Sequence, residues 1–211
     1  MQGSRIRNII FDFGNVLFDL DLDSIGRELR RLTGAGFEAA RRRLEAQRIF
    51  ELYETGGLST DEFVAAIRHA GQSALAPEQI IAAWNSIFIG MPRHRFDMLL
   101  QLRREYRVFL LSNINDLHAA WIDDYMLREH GIDDFATRYF DGVYYSHLIR
   151  LRKPDRAVYE YVLADAELAI NVAGARQAGL HAFRHDPAGD VLQTLEQALQ
   201  SLYLKQVYPA T

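Results

Sequence analysis

The feature that most constrains the fold is a long helical block set between two strand-like runs. Residues 6–13 carry the short apolar core of a buried strand, Ile9-Ile10-Phe11, stopped by Gly14. The next such run is Arg107-Val108-Phe109-Leu110-Leu111, which ends at Ser112-Asn113. From about residue 23 to residue 88 every periodic segment is helical. Four helices fit there, at about 23–33, 36–54, 60–70 and 77–88. Ser59 with Glu62 three residues on forms a capping box, and Phe63, Ile67 and Ala70 then share one helix face. Gly56-Gly57 and Gly71 separate neighbouring helices.

After Met91-Pro92 the pattern alternates. A helix over 93–105 leads into the strand at 107–111, and a helical stretch reaches Gly131. A strand-like run covers 141–145. Pro154 stands where a first helical residue would, followed by Val158, Tyr161 and Val162 on one face. Residues 180–184 read as a strand, and Val191, Leu195, Leu199 and Leu202 as an amphipathic helix. Strand–helix alternation predicts an α/β fold, a Rossmann-like parallel sheet with right-handed crossovers. The helical block becomes an inserted cap over 21–91, on a core made of 1–20 and 92–211. Sheets of this kind bind ligands beyond the carboxyl ends of their strands.

Composition narrows the function. The chain has 211 residues, no cysteine and a net charge of −4. Thiol nucleophiles, disulfide frameworks and Cys-ligated metals are thereby excluded. An acidic balance gives no general attraction to nucleic acid or anionic lipid. No apolar run approaches the ~20 residues of a membrane span, and no signal-peptide stretch opens the chain. A cytoplasmic protein with no obligate protein partner is the expectation. A dinucleotide-binding dehydrogenase is disfavoured, because no Gly-x-Gly-x-x-Gly follows the first strand.

Three strand ends carry polar residues. Asp12 follows the buried run Ile9-Ile10-Phe11, where a carboxylate is costly unless paired, and Gly14 beside it lets a ligand approach the backbone. The plainer reading of Asp12 is a turn cap. Ser112 and Asn113 offer a hydroxyl and amide donors suited to an anion's oxygens, although Ser-Asn is also ordinary turn chemistry. Arg152-Lys153-Pro154-Asp155 puts a lysine at the start of a helix, where the dipole disfavours a cation unless an anion lies between them. The plainer reading there is a solvated side chain. Yet only two of the 24 basic residues are lysines, so a retained lysine points to a need for a compact charge.

In this order the three motifs resemble those of the haloacid dehalogenase-like (HAD) hydrolase superfamily. They are Phe11-Asp12-Phe13-Gly14-Asn15-Val16, Leu111-Ser112-Asn113 and Arg152-Lys153-Pro154. The wording of Ser112-Asn113-Ile114-Asn115-Asp116-Leu117-His118 and of Arg152-Lys153-Pro154-Asp155…Tyr159 is similar to that of bacterial alpha-glucose-1-phosphate phosphatases and their relatives. Residues 171–179 resemble the helix after the family's fourth motif. The resemblance implies a phosphatase of a small, phosphorylated, sugar-like metabolite, with Asp12 as nucleophile of an aspartyl-phosphate mechanism. It implies that Ser112, Asn113 and Lys153 hold the phosphate oxygens, and that Mg2+ binds Asp12 and the Gly14 carbonyl. The helical block would close over the site. His118 would reach a substrate hydroxyl. Two other readings keep the fold: a 2-haloacid dehalogenase, and a non-catalytic binding protein.

The chain departs from the family's pattern in three places. Gly14 stands where most family phosphatases carry a general-acid Asp, leaving Asp19, Asp21 or a water for that task. Arg150 replaces a common Gly and would narrow access to the site. No acidic pair precedes Asn171, where Glu167-Leu168-Ala169-Ile170 stands instead. Two consecutive parallel strands need a crossover, so a strand is expected between the helices that flank this junction. A strand and turn of about ten to fifteen residues are wanting there. The expectation is that the protein carries a segment here beyond these residues, with a backbone break between Glu167 and Asn171. An unbroken backbone would favour the binding protein. His181 and His185 suit surface or core positions better than a metal site. Trp84, Phe88 and Trp121 suit packing.

Overall fold

A computed structural model describes residues 6–71, 74–166, 181 and 183–207, the last five by backbone alone. In chain order the elements are β1 (Asn8–Phe11), β2 (Asp19–Leu20), α1 (Ser24–Thr33), α2 (Phe37–Ala46), α3 (Ile49–Glu54), α4 (Thr60–Gly71), α5 (Pro77–Asn85) and β3 (Phe88–Gly90). Then follow α6 (Arg93–Leu102), β4 (Arg107–Ser112), α7 (Asp116–His130), α8 (Phe135–Tyr139), β5 (Gly142–Tyr145), α9 (Ser146–Ile149), α10 (Arg156–Asp165) and α11 (Val191–Val207).

Among the described residues the main sheet is parallel, in the order β1-β4-β5. The middle strand β4 is buried on both faces, as its unbroken apolar run predicts. Its side chains divide by the two-residue period of a strand. Val108 and Leu110 join Ile9, Phe96, Leu99, Ile122, Met126 and Phe135 on one side. Phe109 and Leu111 join Tyr144, Val158 and Val162 on the other. The sheet is thus covered by helices on both faces, the α/β architecture expected. The register Phe11↔Leu110 and Ser112↔Tyr145 brings the ends of three strands to one edge.

The helical block has its own apolar cluster, built from residues including Leu29, Leu44, Tyr53, Phe63, Ile67, Ile80 and Trp84. The Ser59–Glu62 box forms as read: the Ser59 N–H donates to Glu62 Oε2 at 2.8 Å, and the Glu62 N–H to Ser59 Oγ at 3.3 Å. Four local expectations need correction. The helix expected over 36–54 is two helices, with Arg48 between them at φ 54°. The apolar stripe Phe37, Ala40, Leu44 next meets Ile49, a step of five residues that one straight helix cannot keep on one face. The helix expected to reach residue 88 ends at Asn85, because residues 88–90 pair antiparallel with 19–20. Helix α10 starts at Arg156 rather than at Pro154. Of the strand expected at 180–184, His181, Phe183 and Arg184 join none; Phe183 is 48% exposed, so no sheet face buries it. The junction between Glu167 and Asn171, and residues 180 and 182, lie outside the described residues.

The cap's contacts with the core fall on the carboxyl-end loops of β4 and β5. A directed chain runs from the Leu117 N–H to the Tyr53 hydroxyl (3.1 Å), from there to Thr60 Oγ1 (2.9 Å), and on to the Asp116 carboxylate (3.0 Å). The hydroxyl of Ser146, which is buried, accepts from the Ile114 N–H at 2.9 Å and donates to the Glu54 carbonyl at 2.6 Å. At Gly56 a Cβ would stand 2.3 Å from the His147 carbonyl oxygen, so only glycine fits where cap backbone meets core backbone. His118 stacks on Trp84 with ring centroids 5.4 Å apart. Its Nε2 donates to the Trp84 carbonyl at 3.1 Å, and its Nδ1 lies 3.3 Å from Asn115 Nδ2. A carbonyl can only accept, so Nε2 carries the proton of a neutral ring. Burial holds its pKa down at about 4.

Two predictions follow from this seam. Ser146→Ala orphans the Ile114 N–H and the Glu54 carbonyl, and should cost about 1–3 kcal/mol in urea unfolding. His118 has an ordinary pKa of 6.5 and a folded value near 4, so its neutral form is favoured by folding. Its contribution is present above pH 6.5 and is lost as pH falls towards 4. Thermal unfolding between those values should show a steeper acid-side loss in the parent than in His118→Asn.

Candidate active site

Asp12 directly follows β1, and its placement answers the cost of a carboxylate at a buried strand end. Lys153 Nζ lies 2.6 Å from Asp12 Oδ1, and the Phe13 N–H donates to that same oxygen at 2.7 Å. The ammonium also donates to the Leu111 carbonyl at 3.0 Å, so Lys153 bridges the ends of β1 and β4. The Lys153 side chain is 19% exposed and that of Asp12 49%. One carboxylate oxygen is therefore engaged; the other, Oδ2, enters no hydrogen bond among the described residues.

Residues 13–18 form a tight loop after Asp12. The N–H groups of Leu17 and Phe18 donate to the Phe13 carbonyl at 2.9 and 3.0 Å, and the Asn15 N–H donates to the Phe18 carbonyl at 2.8 Å. Asn15 sits at φ 55°, a conformation asparagine tolerates, and its Oδ1 accepts from the Leu20 N–H at 2.8 Å. Leu20 explains the glycine before it: a Cβ on Gly14 would come within 2.6 Å of Leu20 Cδ1. An aspartate at position 14 would have to push that side chain aside.

Ser112 ends β4 with 5% exposure, and its hydroxyl has no partner among the described residues. Asn113 also grips the Lys153 loop. Its Nδ2 donates to the Lys153 carbonyl at 2.9 Å, and its Oδ1 accepts from the Lys153 N–H at 2.8 Å. The side-chain amide thus clamps the backbone of Lys153, leaving the second Nδ2 hydrogen and the main-chain N–H as this residue's donors for an anion. His118 spends both ring nitrogens at the cap seam and, so placed, offers neither to a substrate. Tyr159 on α10 feels the Asp12 charge; burial first, and that charge second, raise its pKa and keep the phenol protonated.

The two carboxylates considered for leaving-group protonation each pair with an arginine. Asp19 Oδ1 lies 2.6 Å from Nη1 of Arg95, a buried guanidinium that also donates to the Leu17 carbonyl at 3.0 Å. Asp21 pairs with Arg27 at 2.5 Å, and that hydrogen bond holds its carboxyl below the usual range. Arg150 is exposed, with φ 59°. Its position is one that favours glycine for backbone conformation.

The residues present suit a hard cation in part. Among the described residues neither Asp12 Oδ2 nor the Gly14 carbonyl enters a hydrogen bond. Two oxygen donors fit Mg2+, which keeps several waters and takes few protein ligands. Among the described residues no group of three or more acidic, His or Cys side chains gathers as a metal cage. The interval before Asn171 lies outside the described residues.

The motifs gave Asp12, Ser112 and Lys153. They did not give Ser146, Glu54 or the Asn113–Lys153 clamp. These contacts join residues 32 to 92 positions apart, and no local spacing announces them.

No family model matches the chain. A D-ribitol-5-phosphate phosphatase of Bacteroides thetaiotaomicron is 27% identical over 207 residues, covering 93% of this chain and 100% of the relative. A HAD family enzyme of the same species, solved with magnesium and inorganic phosphate, superposes with a TM-score of 0.76 at 28% identity, over 88% of this chain and 97% of that one. A predicted HAD-like family hydrolase of Porphyromonas gingivalis gives a TM-score of 0.74 at 26% identity, over 93% and 99% of the two chains. These likenesses do not single out the alpha-glucose-1-phosphate branch. They do run across nearly the whole of each chain, in sequence and in fold alike, and in both respects this chain is similar to haloacid dehalogenase-like hydrolases.

Proposed function

We propose that the protein is a phosphatase that hydrolyses a small phosphomonoester, a sugar or polyol phosphate, with Mg2+ as its cofactor. The observation that carries this reading is the Asp12–Lys153 pair, in which an ammonium 2.6 Å away holds one carboxylate oxygen and leaves the other free to attack. The similar D-ribitol-5-phosphate phosphatase and the similar structure with magnesium and phosphate support it.

In this mechanism Asp12 Oδ2 attacks phosphorus in line with the ester oxygen. The bond to the leaving group breaks, and the phosphoryl group is left on Asp12. Water then attacks that phosphorus, releasing phosphate and restoring the carboxylate. Lys153, the Ser112 hydroxyl and the Asn113 main-chain N–H stabilise the equatorial oxygens, where charge resides in the transition state. Asp12 and the Gly14 carbonyl would hold Mg2+, which offsets phosphate charge when bound. Asp19 and Asp21 are both paired, so the proton for the leaving oxygen is assigned to water. Residues 21–91 act as the cap and 1–20 with 92–211 as the core, the cap excluding bulk water and selecting the alcohol portion. The setting proposed is cytoplasmic.

Assays on a panel of sugar phosphates, alditol phosphates and p-nitrophenyl phosphate should show turnover that EDTA abolishes and Mg2+ restores. Chloride release from a 2-haloacid without phosphate release would reject this reading. Asp12→Asn should abolish turnover while the fold persists; residual activity within about tenfold of the parent, near 1.4 kcal/mol in barrier, would remove Asp12 from its role. Lys153→Arg should lower kcat by about 100-fold, since a planar fork cannot replace a compact charge between Asp12 and Leu111.

A further inference from the structure

We propose that the ion pair between Glu54 of the cap and Arg152 of the core is a latch by which the seated cap fixes Lys153 against Asp12. Arg152 is then a positioning residue for the reaction, and the inference rests on the phosphatase reading. Glu54 is the last residue of α3, and its carboxylate lies 3.1 Å from Arg152. The two side chains are 30% and 31% exposed, so solvent screens them only in part.

The pair is held by charge more than by alignment. Glu54 Oε2 and Arg152 Nε are both buried without a hydrogen-bond partner among the described residues. Buried pairs with unsatisfied atoms add little net stability, because desolvation offsets attraction. Such a contact suits a part that must open: lifting the cap returns both groups to water.

Arg152 is also one peptide from the ammonium that matters. The Lys153 backbone is clamped on both its N–H and its carbonyl by Asn113, so the loop has little slack at that residue. On its other side Arg150 holds a left-handed conformation, φ 59°. A guanidinium drawn towards Glu54 therefore sets where the Lys153 stem leaves the loop. The cap also meets α9, just before this loop: the Glu54 carbonyl receives Ser146 Oγ at 2.6 Å, and Gly56 seats on the His147 carbonyl. A plain tertiary salt bridge would explain the distance, but it would act on stability rather than on turnover.

The test compares the full-length parent with Glu54→Gln, Arg152→Gln and the exchanged pair Glu54→Arg/Arg152→Glu. The substrate is the phosphomonoester best turned over by the parent. Each single variant should lose about tenfold or more in kcat, with KM within about threefold and Tm within about 2 °C. The exchanged pair should recover most of kcat. Parent-like kcat in the single variants, a loss that tracks Tm, or no recovery on exchange would each overturn the latch. A second measurement needs no turnover. The chain has no cysteine, so Glu45→Cys and Glu129→Cys accept one spin label each, on cap and core. The ligand-free parent should show a narrow label distance, and Glu54→Gln a broadened one; identical distributions would overturn the latch. A parent inactive on every phosphomonoester ends the phosphatase reading instead, and the label distances then judge the seating of the cap by themselves.

Discussion

A carboxylate at the end of a buried strand must find a counter-charge, and much of this molecule is arranged to supply one. Asp12 emerges from β1 beside apolar Phe11 and Phe13, and Lys153 arrives from the loop beyond β5 to meet it at 2.6 Å. For that meeting β4 must lie between the two, so that the Leu111 carbonyl can share the ammonium. Asn113, at the end of the same strand, must reach across to grip the Lys153 backbone. Sheet order, strand length and loop conformation thus converge on the placement of one nitrogen. The same arrangement leaves the second Asp12 oxygen without a hydrogen bond among the described residues.

The loop after Asp12 shows how packing decides chemistry. Leu20 fills the space a side chain on residue 14 would need, and Asn15 adopts the turn that places Leu20 there. Downstream, Asp19 and Asp21 are each drawn off by an arginine. The segment after Asp12 leads into the ribbon of β2 and β3 at the base of the cap.

What could be read from sequence was whatever depends on neighbours in the chain. The buried run at β4, the Ser59–Glu62 box and the helix after residue 190 all rest on local periodicity or capping. The meeting of Asp12 with Lys153 was legible because short motifs carry both. The break at Arg48 was legible in principle, since the apolar stripe skips phase between Leu44 and Ile49. The β2–β3 ribbon was not, because strands of two and three residues have no period to detect. Nor was the cap seam: Ser146, Tyr53 and His118 act through partners that only the folded chain brings near. His118 is instructive, since a histidine close to a phosphate motif suggests substrate contact and the structure instead spends it on the Trp84 carbonyl.

The β2–β3 ribbon also bears on how the chain reaches its native topology. Pairing β1 with β4 joins residues about a hundred apart, Phe11 with Leu110 among them. Once Asp19 stands beside Gly90, the cap is short-circuited, and the effective loop between those strands shrinks to roughly a quarter of that length. Closure entropy changes by about 0.6 kcal/mol per doubling of loop length, so the shortcut eases formation of the central pair by about 1 kcal/mol. A cap that condenses on its own apolar cluster first therefore lowers the effective contact order of the core.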